Sequence, residues 1–192
     1  MVFKGGVRKG PVGGRVVWVF GYGSLLWEPG FAFTERVMAR LDGWHRSFCM
    51  RSIHHRGTEA EPGLVLALDA AHGAACEGVA FAVAPDDQAE TLAYLREREL
   101  ISSAYLEKVL PLRLGDGRQV EAVTYVIDPD HVQYCGGLPL EEQAQIIARA
   151  RGGRGENRDY LWNTAAHLND LGIADAELDW LSARVRDLTP PA

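Results

Sequence analysis

Two places in this sequence hold residue types that could do chemistry. The first is Gly21-Tyr22-Gly23-Ser24-Leu25, directly after the apolar run Val16-Val17-Trp18-Val19-Phe20. Glycine permits backbone conformations closed to other residues and removes side chains, so backbone N–H groups can face a ligand. Such a loop suits a carboxylate or a developing oxyanion; a tight turn would need the same glycines for structural reasons alone. The second is Glu99. A helix over 85–101 puts Ala89, Leu92, Leu95 and Glu99 in one stripe, the face that should meet a core. Desolvation there raises a carboxyl pKa toward what a general base needs near neutrality. Glu97 shares the opposite face with Glu90 and Tyr94 and is the solvated control. The alternative for Glu99 is a frayed helix end, open to water or paired with an arginine.

Other catalytic signatures fail. There is no phosphate-binding G-x-x-x-x-G-K-[ST], and Gly152-Gly153-Arg154-Gly155 follows a helix rather than a strand. Ser24 sits where a nucleophile elbow would, but its surroundings, Tyr22-Gly23-Ser24-Leu25-Leu26, are not G-x-S-x-G. His54 and His55 are adjacent, so in a strand they point to opposite faces and make a poor metal pair. Three widely spaced cysteines (Cys49, Cys76, Cys135) form no disulfide framework and no zinc motif, which fits a reducing cytoplasm. With no signal peptide and no apolar run near the roughly 20 residues of a membrane span, a soluble protein with no membrane partner is expected.

Charge is uneven: residues 1–60 hold nine Lys/Arg against four Asp/Glu, and residues 61–192 hold eleven against twenty-two. Arg36, Arg40, Arg46, Arg51 and Arg56 are interleaved with apolar residues, as on the wet face of strands. No compact basic stripe results, and nucleic acid is not expected as a partner.

The elements that must position these residues follow from periodicity. Residues 1–15, with five glycines and Pro11, read as a flexible arm, and 16–192 as a single domain. Val16–Phe20 is a buried strand. Residues 36–52 read as one or two strands broken at Asp42-Gly43, and Gly63–Asp69 and Cys76–Val83 as two strands joined by a turn at His72-Gly73. Pro85-Asp86-Asp87 opens the helix that carries Glu99. Tyr105–Leu114 and Arg118–Ile127 form a hairpin around Gly115-Asp116-Gly117. Helices follow at about 140–151, 157–171 (closed by Gly172) and 175–188. The fold class is α+β, a small mixed sheet or barrel with packed helices.

Both chemical features fall within a resemblance. Val19-Phe20-Gly21-Tyr22-Gly23-Ser24-Leu25-Leu26-Trp27-Glu28-Pro29-Gly30-Phe31 closely resembles the opening motif of ChaC-type γ-glutamylcyclotransferases. The likeness continues through His55-Arg56-Gly57-Thr58, Pro62-Gly63, Arg98-Glu99 with Tyr105 six residues on, and Gly155-Glu156-Asn157 before Tyr160-Leu161. It covers roughly 16–172. It implies cleavage of glutathione to 5-oxoproline and cysteinylglycine without a cofactor or metal, with Glu99 as general acid/base. It further implies that Gly21, Tyr22, Gly23, Ser24, Leu25 and Leu26 hold the γ-glutamyl group. Arg56 is then a candidate for a substrate carboxylate, and Tyr105 and Tyr160 for the pocket wall; for Arg56 a solvated loop role, and for Tyr160 core packing, remain alternatives. Arginine precedes both Glu97 and Glu99, but the distance to Tyr105 selects Glu99, in agreement with the helical stripe. Ser102-Ser103-Ala104 depart from the glycine often found there in the family. Other γ-glutamyl substrates, or a non-catalytic module that binds a small anion, are the alternative functions. The sequence leaves oligomeric state open.

Overall fold

The structure, a computed structural model, describes residues 15–100 and 102–189. The expected arm at 1–15 therefore lies, Arg15 apart, outside the described residues. In chain order the elements are β1 (Val17–Gly21), β2 (Glu35–Ser52), β3 (Gly63–Val83), α1 (Gln88–Glu99), β4 (Tyr105–Leu114), β5 (Gln119–Ile127), α2 (Leu140–Arg149), β6 (Arg151–Gly152), β7 (Gly155–Glu156), α3 (Asn157–Asp170) and α4 (Ala176–Leu188). They divide into two compact units. The first holds the chain up to Arg46 and Leu68–Asp128; the second holds Ser47–Ala67 and the chain from Pro129.

In the first unit the strands close into a barrel in the order β1-β3-β2-β4-β5, with β1 parallel to β5 and antiparallel to β3. The α+β expectation holds. β1 has a strand on each edge, and side chains on both of its faces (Val19 and Phe20) are buried, which is why the run is apolar throughout. Phe20, Leu41, Leu68, Ala80, Leu112 and Val126 fill the core. The β4–β5 hairpin turns where Gly117 takes a φ of +92°.

Two expected strand breaks are corrected. β2 continues through Asp42-Gly43 and β3 through His72-Gly73, although Gly43 and Gly73 have φ of +84° and +80°. A glycine with positive φ can be absorbed as an extra residue in a strand, and the sequence signal is the same as for a turn. In β2 the consequence is visible: Ala39 and Leu41 are buried before Gly43, whereas Arg46, Phe48 and Met50 are buried after it. One inserted residue exchanges the faces of a strand. Arg46, expected on a wet face, is only 3% exposed for that reason.

α1 also differs in detail. Leu95 is buried and Leu92 half-buried, but Ala89 is exposed, and Thr91 takes the inward place in that turn. Thr91, Leu95 and Glu99 are four apart and share one face. Glu97 is exposed, as expected.

In the second unit α2, α3 and α4 bury Ile147, Leu161, Leu168, Leu178, Leu181 and Val185. α3 stops before Gly172, whose φ of +71° suits only a helix-ending turn. Asp175 caps α4, its Oδ1 accepting from Leu178 N–H at 3.1 Å. The glycine-rich 152–155 stretch, which follows α2, holds the turn of the small β6–β7 hairpin.

Candidate active site

Glu99 is the last residue of α1, and its side chain is 19% exposed. Burial pushes its carboxyl pKa up, and the Arg98 guanidinium pulls the other way from 3.2 Å. Burial prevails because the apolar stripe carries Glu99 inward while Arg98 reaches it at one nitrogen only. The frayed-end and arginine-paired alternatives are each partly realised, yet the carboxyl remains shifted in the direction a base requires.

The loop after β1 forms a single turn of 3-10 helix at Ser24–Leu26. Its side chains mostly face the core: Tyr22, Leu25 and Leu26 are 9%, 6% and 2% exposed. The Tyr22 hydroxyl donates to the Tyr125 carbonyl at 2.9 Å. A Cβ on Gly21 would meet Leu25 Cβ at 2.9 Å, so glycine is needed there for close approach; a Cβ on Gly23 would meet nothing within 4 Å. Leu26 N–H donates to Gly23 O and Glu28 N–H to Ser24 O. Among the described residues the N–H groups of Gly23, Ser24 and Leu25 reach no protein acceptor. What the loop can offer a ligand is therefore its backbone.

Three guanidinium groups hold this loop by its oxygens. Arg46 donates from Nε to Tyr22 O at 2.8 Å, and Arg36 from Nη2 to Leu26 O at 3.2 Å. Arg98 donates to Glu28 O (2.8 Å), to the Tyr94 hydroxyl (2.9 Å) and to Ser24 Oγ (2.8 Å). One side chain thus ties the loop to the helix end that carries Glu99. Ser24 Oγ is an acceptor in this arrangement, which removes it further from a nucleophile's role. None of these three arginines was expected at the site from the sequence. The only available signal was Arg98 beside Glu99, since hydrogen bonds to backbone carbonyls leave no trace in a sequence pattern.

Tyr105 begins β4, opposite Ile127 of β5. The turn before it places Ser103 at φ +58°, a left-handed conformation that costs a non-glycine residue about 1 kcal/mol. This gives a physical reason for the glycine the family often has there.

Arg56 and Tyr160 belong to the second unit, where they meet each other. The Arg56 guanidinium lies 5.5 Å from the centre of the Tyr160 ring, and its Nη1 donates to Arg154 O (2.8 Å) and Glu156 O (3.1 Å). The Tyr160 hydroxyl accepts from Leu66 N–H at 3.4 Å, and its ring packs edge-on against Phe48. Both have structural work to do there. A groove of about 1000 Å³ in the second unit, lined by Arg51, Glu61, Pro62, Glu142 and Arg149, contains none of the candidate residues. Among the described residues no three His, Cys, Asp or Glu side chains converge as a metal site.

The family model described as "ChaC-like protein" matches residues 17–188. A glutathione-specific γ-glutamylcyclotransferase of Escherichia coli K12 is 40% identical over 172 residues, 90% of this chain and 74% of that protein. The Arabidopsis thaliana γ-glutamylcyclotransferase 2-3 is 36% identical, covering 90% of this chain and 89% of its own. The crystal structure of a yeast γ-glutamylcyclotransferase specific to glutathione superposes with a TM-score of 0.81 over 91% of this chain and 97% of that one. At 24% identity that likeness speaks for the fold. From the strand that delivers the glycine loop to the last helix, this chain belongs to the ChaC-like family.

Proposed function

We propose that the protein is a glutathione-specific γ-glutamylcyclotransferase acting in the cytoplasm. The observation that carries the reading is a carboxyl group, Glu99, made more basic by burial, on a helix end that Arg98 ties to a loop with unclaimed N–H groups. The relatives' activity points the same way. Reduced cysteines (Cys49, Cys76 and Cys135) suit a compartment rich in thiol. No helix among the described residues is long and apolar enough to cross a membrane.

The reaction is an intramolecular aminolysis. The α-amine of the γ-glutamyl group attacks its own γ-carbonyl, a C–N bond closes a five-membered lactam, and the amide C–N bond to cysteine breaks. The amine enters as an ammonium, so Glu99 takes a proton before attack and returns it to the leaving amine of cysteinylglycine. The loop Gly21–Leu26 brings amine and carbonyl together, and well-oriented intramolecular steps reach effective molarities of ~10⁵ M or more. Tyr105 lines the pocket in this reading.

The test is to incubate purified protein with glutathione and, separately, with γ-glutamyl dipeptides, and to measure 5-oxoproline. Release from glutathione together with cysteinylglycine is expected. Release from the dipeptides but not from glutathione would overturn the substrate, and release from neither would overturn the chemistry.

A pH dependence follows from the direction of the Glu99 shift. The base works deprotonated, so kcat/KM falls as pH drops through its raised pKa. The acid limb is therefore expected above about 4.3, the ordinary glutamate value. Arg98→Met removes the opposing charge and should move the limb higher still. A limb at ordinary carboxylate values in the parent enzyme rules Glu99 out as that base.

A further inference from the structure

Arg46 is a buried cation that the reaction scheme does not use. It donates to two backbone carbonyls, Tyr22 O at 2.8 Å from Nε and Glu77 O from Nη2. The identity of the second is informative. β1 and β3 pair antiparallel with Val17 opposite Val83, Val19 opposite Phe81 and Gly21 opposite Val79. Ala82 turns its carbonyl away from β1, to Thr34 N–H at 2.8 Å. Donors and acceptors alternate along a strand, so Val17, Val19 and Gly21 are the residues that exchange hydrogen bonds with β3. Continued by two residues, the same register would pair Gly23 with Glu77, and Gly23 N–H would donate to Glu77 O.

Arg46 takes that acceptor instead. It also fixes the orientation of the peptide that carries the donor. In a trans peptide the C=O of Tyr22 and the N–H of Gly23 point in opposite directions. With Tyr22 O held toward Arg46, Gly23 N–H points away from it. Gly23 is buried, and its N–H reaches no acceptor among the described residues. A buried amide left without a partner is costly, so a fold that retains one uses it. A cation on the carbonyl also polarises the peptide and strengthens its N–H as a donor.

We propose that Arg46 is a positioning residue: it ends the β1–β3 ladder and holds Gly23 N–H for the oxygen of the γ-carbonyl as that oxygen becomes an oxyanion. The inference rests on the cyclotransferase reading and adds a specific donor to it. A donor realised chiefly in the transition state lowers kcat when lost and leaves KM nearly unchanged.

The experiment replaces Gly23 by glycolate, introduced by nonsense suppression, so that an ester stands where the Tyr22–Gly23 amide was: the N–H is lost, and the Tyr22 carbonyl stays in place as a weaker acceptor for Arg46. Arg46→Lys is made beside it, both checked by circular dichroism and thermal melting. The ester enzyme is expected to lose about 100-fold in kcat at constant KM, Arg46→Lys to lose kcat in the same way, and the two together to lose no more than the larger single loss. Full kcat in the ester enzyme overturns the proposal, and so does a loss confined to KM, which would mark a ground-state carboxylate contact. Losses that multiply also overturn it, because Arg46 would then act independently of Gly23. Where Arg46→Lys is too unstable to assay, Arg46→Gln, which carries no buried charge, takes its place in the same comparison. Unmodified protein that releases no 5-oxoproline refutes the underlying reading instead, before either variant is read.

Discussion

Glu99→Gln is expected to lower 5-oxoproline release by about 10³-fold while leaving the protein folded. The amide is nearly the shape of the carboxyl but cannot take the ammonium proton, so attack must wait for the small fraction of free amine. Glu97→Gln, one turn-face away and exposed, should stay within about twofold of the parent. The pair of variants separates a chemical role from damage to α1, since both alter the same turn of helix. Stability supplies a second readout. A group whose folded pKa is raised binds its proton more tightly in the native state, so its contribution is present below the unfolded pKa and is lost as pH rises. Above its raised pKa the Glu99 carboxylate is therefore a burden that Gln removes, and there the variant should melt no lower than the parent. Activity that survives Glu99→Gln defeats the mechanism, and a dead Glu97→Gln with a live Glu99→Gln would shift the catalytic carboxylate by two residues.

Glu99 was legible because a charge on an apolar helical stripe breaks a simple periodic rule, and three of four stripe members face inward as that rule demands. Ala89 broke the pattern because alanine is small enough to sit in water at little cost, while Thr91, polar by type, went inward. The hairpin from Tyr105 to Ile127 and the last three helices were legible within a residue or two, since turn glycines and caps are local signals. The long strands were not. Gly43 and Gly73 give the same signal whether the chain reverses or merely takes up one extra residue, and only neighbouring strands decide which. Arg46 was hidden by that ambiguity, because the one-residue slip at Gly43 is what turns it from the wet side to the core. The loop's glycines were legible as a backbone feature, but the arginines that hold its carbonyls come from β2 and α1, far away in sequence.

Asn157 is a second residue whose role only the structure explains, and Asn157→Ala is expected to cost about 2–4 kcal/mol of stability. It stood out in the sequence as part of Gly155-Glu156-Asn157. In the second unit it is fully buried at the start of α3, and its amide meets one residue of β3 twice. Leu64 N–H donates to Asn157 Oδ1 at 2.7 Å, and Asn157 Nδ2 donates to Leu64 O at 2.8 Å. The side chain thus stands where a neighbouring strand would be, and no other side chain has that donor–acceptor pair at that length, since glutamine carries it one methylene further out. The neighbouring Gly63 leaves room for it, since a Cβ there would lie 2.7 Å from Asn157 Oδ1. Alanine leaves a buried N–H and a buried C=O without partners, at about 1–3 kcal/mol each, offset in part by any water that enters. Against a total of about 5–15 kcal/mol for a domain, this is a large fraction. Urea unfolding reads it as a lower midpoint at unchanged slope. Asn157→Asp sharpens the argument, because it keeps the acceptor for Leu64 N–H and sets a second oxygen against Leu64 O. Its carboxyl is most easily accommodated protonated, so its folded pKa is raised and the variant loses further stability as pH rises through that value. An alanine variant within about 0.5 kcal/mol of the parent, the range of an ordinary surface change, contradicts the clamp.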